Sequence, residues 1–196
     1  IEGLIKIKNL DKNRKIFLDL KFHDIPNTVY GAVYSTIMNI EPYMITVHAS
    51  GGESMLKAAV DAAKKAAFEK NKIKPLILAV TLLTSLDKVD LNKFGWTKST
   101  DTQVGNFAEI AINAGCDGIV CSALELSYLK YNLSQDIIKV TPGIRLKYNQ
   151  INDQKRIMTP EDALKNGASY IVVGRPIIES KNPNEVIKMI AKSMII

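Results

Sequence analysis

The 196-residue sequence predicts an α/β fold built on a parallel sheet, and three observations lead there. Short apolar runs recur along the chain, a longer stretch of helical periodicity follows each, and the runs are apolar almost throughout instead of alternating. Such runs suit strands covered on both faces by crossover helices. Hydrophobic residues make up 46% of the chain and charged residues 23%, the balance of a globular domain and not of a disordered one. No linker, low-complexity stretch or repeat beyond the β-α alternation interrupts the series, so residues 1–196 read as a single domain.

The strands are expected at residues 16–20, 44–48, 76–81, 118–121, 137–141 and 170–174. Helices fill the gaps. Pro26-Asn27-Thr28 opens a helix over 29–39, Ser54 is placed to cap an Ala-rich run reaching Lys70, and the helix over 103–114 stops at Gly115. Thr159-Pro160-Glu161-Asp162 sets a cap, a proline at the first helical position and two carboxylates at the positive end of the helix dipole. Asn182-Pro183-Asn184-Glu185 repeats that arrangement before the last helix, and residues 1–10 read as a further helical stretch. Residues 82–102 and 142–158 show no clear period, and loops of that length in a compact domain are usually functional or disordered. The count of strands and helices amounts to about three quarters of a TIM (β/α)8 barrel, a fold of roughly 250 residues whose strand-to-helix loops carry the chemistry. Six strands of such a barrel are evident, and an open six-strand barrel would expose two edges.

The remaining composition excludes several classes. No apolar run approaches the roughly 18 residues needed to cross a bilayer, and residues 1–8 mix charges with aliphatics unlike a signal peptide. The expected location is the cytoplasm, with no membrane partner. Net charge is +6, but Lys57, Lys64, Lys65, Lys70, Lys72 and Lys74 fall on expected solvated helix faces without aromatic interleaving, which argues against a nucleic-acid partner. Cys116 and Cys121 lie about 16 Å apart on an extended chain, too far for a disulfide, and read as buried thiols.

The segment richest in chemistry is Asp19-Leu20-Lys21-Phe22-His23-Asp24. Residues two apart on a strand share a face, so Asp19 and Lys21 are expected on one side with Leu18 and Leu20 on the other. Asp24 follows where the strand becomes a loop, which would set Lys21 between two carboxylates. That alternation keeps an ammonium protonated and holds a proton donor in place, although a structural ion pair at a barrel rim has the same spacing. Near the other end, Gly174-Arg175 follows the last strand, where barrels commonly bind phosphate and where Arg offers a bidentate fork. Arg145 and Gln154 taken singly read as loop side chains, His48 as a packed rim residue, and Trp96 and Tyr148 as loop packing.

The run Leu18-Asp19-Leu20-Lys21-Phe22-His23-Asp24-Ile25-Pro26-Asn27-Thr28 resembles the signature of bacterial orotidine 5'-phosphate decarboxylases. Further segments agree in order, among them Val47-His48-Ala49-Ser50-Gly51-Gly52, Thr81-Leu82-Leu83-Thr84-Ser85, Val140-Thr141-Pro142-Gly143-Ile144-Arg145 and Val173-Gly174-Arg175-Pro176. The resemblance implies decarboxylation of orotidine 5'-phosphate to uridine 5'-phosphate in pyrimidine synthesis, without metal or organic cofactor. It implies a Lys-Asp-Lys-Asp array onto which Asp19, Lys21 and Asp24 fall as the last three members, Lys21 delivering a proton to C6. It further implies that Ile25, Pro26, Asn27, Thr28 and Thr84 contact the substrate and that Arg145, Gln154, Gly174 and Arg175 bind or close over its phosphate. Asp24 would reach into the neighbouring subunit's site, which implies a homodimer with shared sites.

The family's first two strands, carrying a ribose-binding Asp and the first Lys of the array, have no counterpart before Asp19, and Lys6 and Lys8 lack the strand context to replace it. The expectation is therefore that two strands precede Ile1 in the complete protein. Two other readings share parts of the pattern: a magnesium-dependent phosphosugar decarboxylase or synthase with the same Asp-x-Lys-x-x-Asp spacing, and a non-catalytic barrel that binds a nucleotide.

Overall fold

A computed structural model of the chain describes residues 2–11, 13–145 and 158–194. Each strand is followed by at least one helix, with α4, α6 and α8 additional to the helices expected: α1 Glu2–Leu10, β1 Phe17–Phe22, α2 Pro26–Ile40, β2 Met44–His48, α3 Gly52–Glu69, β3 Leu76–Val80, α4 Lys88–Lys93, α5 Thr100–Asn113, β4 Gly118–Val120, α6 Leu126–Asn132, β5 Ile138–Thr141, α7 Pro160–Lys165, β6 Tyr170–Ile171, α8 Arg175–Ile178 and α9 Pro183–Ser193. Among the described residues the strands are hydrogen-bonded in chain order, from β1 to β6. The chain partitions into two compact units, Ile1–Val80 with Phe107–Gly118, and Thr81–Asn106 with Ile119–Ile196.

In the first unit β1 pairs parallel to β2 and β2 parallel to β3, the latter in unbroken register from Met44↔Leu76 to His48↔Val80. Four of five residues in β2 and in β3 are buried, which is why these strands read as continuous apolar runs. Helix α2 buries Val29, Val33, Ile37 and Ile40, one stripe at helical spacing, and α3 buries Ala59, Ala62, Ala63, Ala66 and Ala67 beside Met55, Leu56 and Val60. Small alanines let helices pack at close range, where larger side chains would hold them apart. The end of α5 is set by Gly115 at φ 78°: its N–H donates to the Ile112 carbonyl and the Cys116 N–H to that of Ala111, the Schellman pair expected of a left-handed glycine.

In the second unit β5 pairs parallel to β6 through Val140↔Tyr170 and Thr141↔Ile171, and an isolated bridge joins Ile144 to Met158. Its core gathers Leu91, Val104, Ile119, Leu126, Leu129, Val140, Ile144 and Ala163. Thr159 caps α7 as its sequence predicts, its hydroxyl accepting the Asp162 N–H. Asn182 occupies the corresponding position before α9 but makes no side-chain cap bond. Both cysteines are free and buried.

Several boundaries differ from expectation for identifiable reasons. Strand β1 runs on through Lys21 and Phe22 because an irregularity absorbs extra residues there. Helix α2 starts at Pro26 itself, whose fixed φ suits the first helical position. Helix α3 starts at Gly52, ahead of the expected Ser54 cap, because Ala49–Gly51 form a 3-10 turn and Gly52 at φ 82° swings the chain into the helix. The segment 82–102 is not structureless: Asp87 and Asp90 make a reciprocal capping box that nucleates α4, and Phe94 packs on Trp96 with ring centroids 5.6 Å apart. Strand β6 stops at Ile171, three residues short of the expected end. Lys70 and Lys74 are half-buried in ion pairs with Glu41 and Asp117 instead of lying free on a solvated face.

Candidate active site

The chemistry of the first unit is set by a break in β1. Its register passes from Leu18↔Ile45 to Phe22↔Val47, four steps on β1 against two on β2, so β1 bulges between them. Lys21, inside the bulge, has φ 51°, a left-handed conformation that costs a non-glycine residue of the order of 1–2 kcal/mol. Strained residues of this kind cluster where side chains must be aimed. The strict alternation expected from the sequence therefore ends at Leu18, which is buried, while Leu20 is 49% exposed.

Within the bulge the Lys21 ammonium donates to Asp19 Oδ2 at 2.5 Å. The Lys21 N–H, turned out of the strand ladder, donates to Thr46 Oγ1 at 2.9 Å, and that hydroxyl donates onward to Asp19 Oδ1 at 2.8 Å. Both oxygens of Asp19 are thus engaged. The pair is not sealed in the interior, because the side chains of Lys21 and Asp19 keep 38% and 45% of their exposure. That openness is what a group meeting a ligand requires.

Asp24 does not flank Lys21 as the spacing suggested. Its Oδ1 accepts the N–H of Ile25 at 2.7 Å, and the ion pair made by Lys21 among the described residues is with Asp19. Asp24, Ile25, Pro26, Asn27 and Thr28 are all exposed at the start of α2. Beside them the His23 and His48 rings sit 5.4 Å apart, and His48 Nδ1 is buried with no hydrogen-bond partner among the described residues. Burial, then His23 and Lys21, hold the His48 pKa below its ordinary value, so the neutral ring is favoured at the strand end. A side chain at Gly51 would require the flexible end of Met55 to shift and would crowd His23.

The second unit carries the other expected residues. Thr84 is half-buried in a turn beyond β3. Arg145 is buried, not the exposed loop side chain that it suggests in isolation: its guanidinium donates to the Ile144 carbonyl at 3.0 Å and its N–H to the Met158 carbonyl at 3.0 Å. Gly174 is the exposed N-cap of α8 and Arg175, half-buried, is that helix's first residue. Gln154 and Tyr148 lie outside the described residues. No group of three His, Cys, Asp or Glu side chains among the described residues is arranged to hold a metal ion, and no helix among them is long and apolar enough to cross a membrane.

Thr46 is the functional neighbour that sequence reasoning missed. The available signal was a hydroxyl inside the otherwise apolar run Met44-Ile45-Thr46-Val47, where a buried polar group must find partners.

Comparison with known proteins identifies relatives of the whole chain. The orotidine 5'-phosphate decarboxylase of Teredinibacter turnerae is 45% identical over 179 residues, covering 91% of this chain and 75% of that protein. The same enzyme of Saccharophagus degradans is 46% identical over 183 residues, covering 93% and 74%. The crystal structure of orotidine 5'-phosphate decarboxylase from Lactobacillus acidophilus superposes with a TM-score of 0.83 at 39% identity, over 99% of this chain and 82% of that one. The fold is accordingly of the TIM-barrel class, with six of its strands present here. Residues 2–190 match the sequence profile described as "Orotidine 5'-phosphate decarboxylase / HUMPS family", and the chain belongs to that family.

Proposed function

We propose that this protein is a carboxy-lyase that converts orotidine 5'-phosphate to uridine 5'-phosphate, with Lys21 as the proton donor. The observation that carries the reading is the Lys21–Asp19 pair, aimed by a strained bulge at the end of β1 yet left open to a ligand. In the reaction the C6–carboxylate bond breaks, CO2 leaves, and the electron pair retained at C6 takes a proton from Lys21 Nζ. The ammonium serves twice, offsetting negative charge as it develops at C6 and then neutralising it by proton transfer. Asp19 has one oxygen on Lys21 and the other on Thr46, so it holds the ammonium while facing the departing carboxylate. None of these steps calls for a metal or an organic cofactor. Thr84 and residues 25–28 are assigned to the nucleoside, and Arg145, Gln154, Gly174 and Arg175 to the phosphate.

The same reading makes the active form a homodimer in the cytoplasm, with Asp24 completing the site of the neighbouring subunit. The exposure of Asp24 through Thr28, and of Ile25 in particular at 66%, supports that role. The deciding experiment follows orotidine 5'-phosphate absorbance with protein expressed from its complete reading frame, with and without chelator. Loss of the substrate band with release of CO2, unaffected by chelator, is expected. No turnover, or turnover that needs magnesium, would overturn the assignment.

A further inference from the structure

We infer that Thr46 is a positioning residue whose single hydroxyl sets the geometry of the Lys21–Asp19 pair. Its contribution to turnover rests on the decarboxylase reading. Its geometric role does not.

Thr46 is fully buried in β2 between Ile45 and Val47, where an unpaired hydroxyl would cost about 1–3 kcal/mol. It is satisfied twice, with opposite polarity. An N–H can only donate, so Oγ1 accepts from Lys21 at 2.9 Å, and its one proton is directed to Asp19 Oδ1 at 2.8 Å. The bulge between Leu18 and Phe22 interrupts the regular β1–β2 ladder at Lys21. There the Thr46 side chain, and not a β2 carbonyl, accepts the Lys21 N–H.

The consequence is a three-point tie. One hydroxyl holds the main chain of the residue that carries the ammonium and also the carboxylate to which that ammonium is bonded. It locks a left-handed Lys21 that would relax without a partner for its N–H. Thr46 does not itself reach the reacting atoms by these contacts; it acts through Lys21 and Asp19. Misplacement of a reacting group by about 1 Å can cost on the order of a hundredfold in rate, so the loss of one such tie belongs to kcat and not to uniform substrate binding.

The test compares Thr46→Val, which keeps the shape and removes the hydroxyl, with Thr46→Ser, which keeps the hydroxyl, and Thr46→Ala as a second deletion. The expected result is a kcat roughly 10- to 100-fold lower in Thr46→Val and Thr46→Ala with KM changed less than about 3-fold, and Thr46→Ser within about 3-fold of the parent. In parallel, amide hydrogen exchange at Lys21 should be slow in the parent and in Thr46→Ser, and faster in the deletions. Parent-like kcat in a folded deletion, a Ser variant as impaired as the Val variant, or a freely exchanging Lys21 amide in the parent itself would each overturn the inference. A parent without decarboxylase activity would overturn the function reading instead and leave the Lys21 amide to decide the role of Thr46.

Discussion

Replacing Lys21 by Ala and, separately, by Gly tests the strain and the chemistry of the site in one comparison. Both variants delete the ammonium and its partly exposed bond to Asp19, a pair worth about 1 kcal/mol or less, so that loss cancels between them. What remains is the backbone. At φ 51° an L side chain carries about 1–2 kcal/mol of strain that glycine lacks. Glycine in turn loses more freedom on folding, by about 0.5–1 kcal/mol relative to alanine. At the middle of these ranges the difference favours Lys21→Gly over Lys21→Ala by about 0.75 kcal/mol, whereas at an ordinary strand position the sign reverses. With a urea m-value near 2 kcal/mol/M, the midpoint of the Gly variant should lie about 0.3–0.5 M higher. An Ala variant as stable as the Gly variant would refute the left-handed assignment. Both should lose at least 10²- to 10⁴-fold in turnover while still binding nucleotide, since a proton donor and a charge are removed together. More than about a tenth of parental kcat in either would refute Lys21 as the acid.

Arg175→Ala should lower kcat/KM for the phosphorylated substrate far more than for the phosphate-free nucleoside, because a charge-assisted contact to a dianion is lost; equal losses would remove Arg175 from the phosphate site. Glu41, bonded to Lys70 and Lys8, has its pKa lowered by those hydrogen bonds from 4.5 to about 2. A lowered carboxylate pKa contributes stability that is full above the ordinary value and is lost as pH falls through the folded one, here between about pH 4.5 and 2. The shift corresponds to about 3 kcal/mol, which solvent screening of a side chain 31% exposed reduces to about 1 kcal/mol. The gap in urea midpoint between the parent and Glu41→Gln should therefore close over that window, and a gap independent of pH would refute the pairing. Burial pushes the Cys116 thiol up to about 12 and raises that of Cys121 further, so neither should react with a thiol reagent at pH 8 until the protein unfolds. Stoichiometric labelling of the native protein within a minute would show that one of them is accessible.

The sequence by itself determined the parallel α/β plan, because strands covered on both faces must be apolar throughout and crossover helices must be periodic. Met44–His48 matches residue for residue on that ground, and Gly115 and Thr159 mark helix ends because a left-handed stop and a side-chain cap depend on one residue's own chemistry. The spacing of Asp19 and Lys21 also predicted that they would meet. Only the tertiary structure decided how. Their contact depends on a bulge whose register is set by β2, and on a hydroxyl from Thr46, 25 residues beyond Lys21, a separation that no local pattern encodes. The same holds for Arg145, whose burial is fixed by the pairing of Ile144 with Met158, and for Lys70 and Lys74, whose helix-face spacing says solvent until Glu41 and Asp117 are brought to them. Periodicity reports which face of an element is covered; which atoms meet across it is a property of long-range register, and that exists only once the chain has folded.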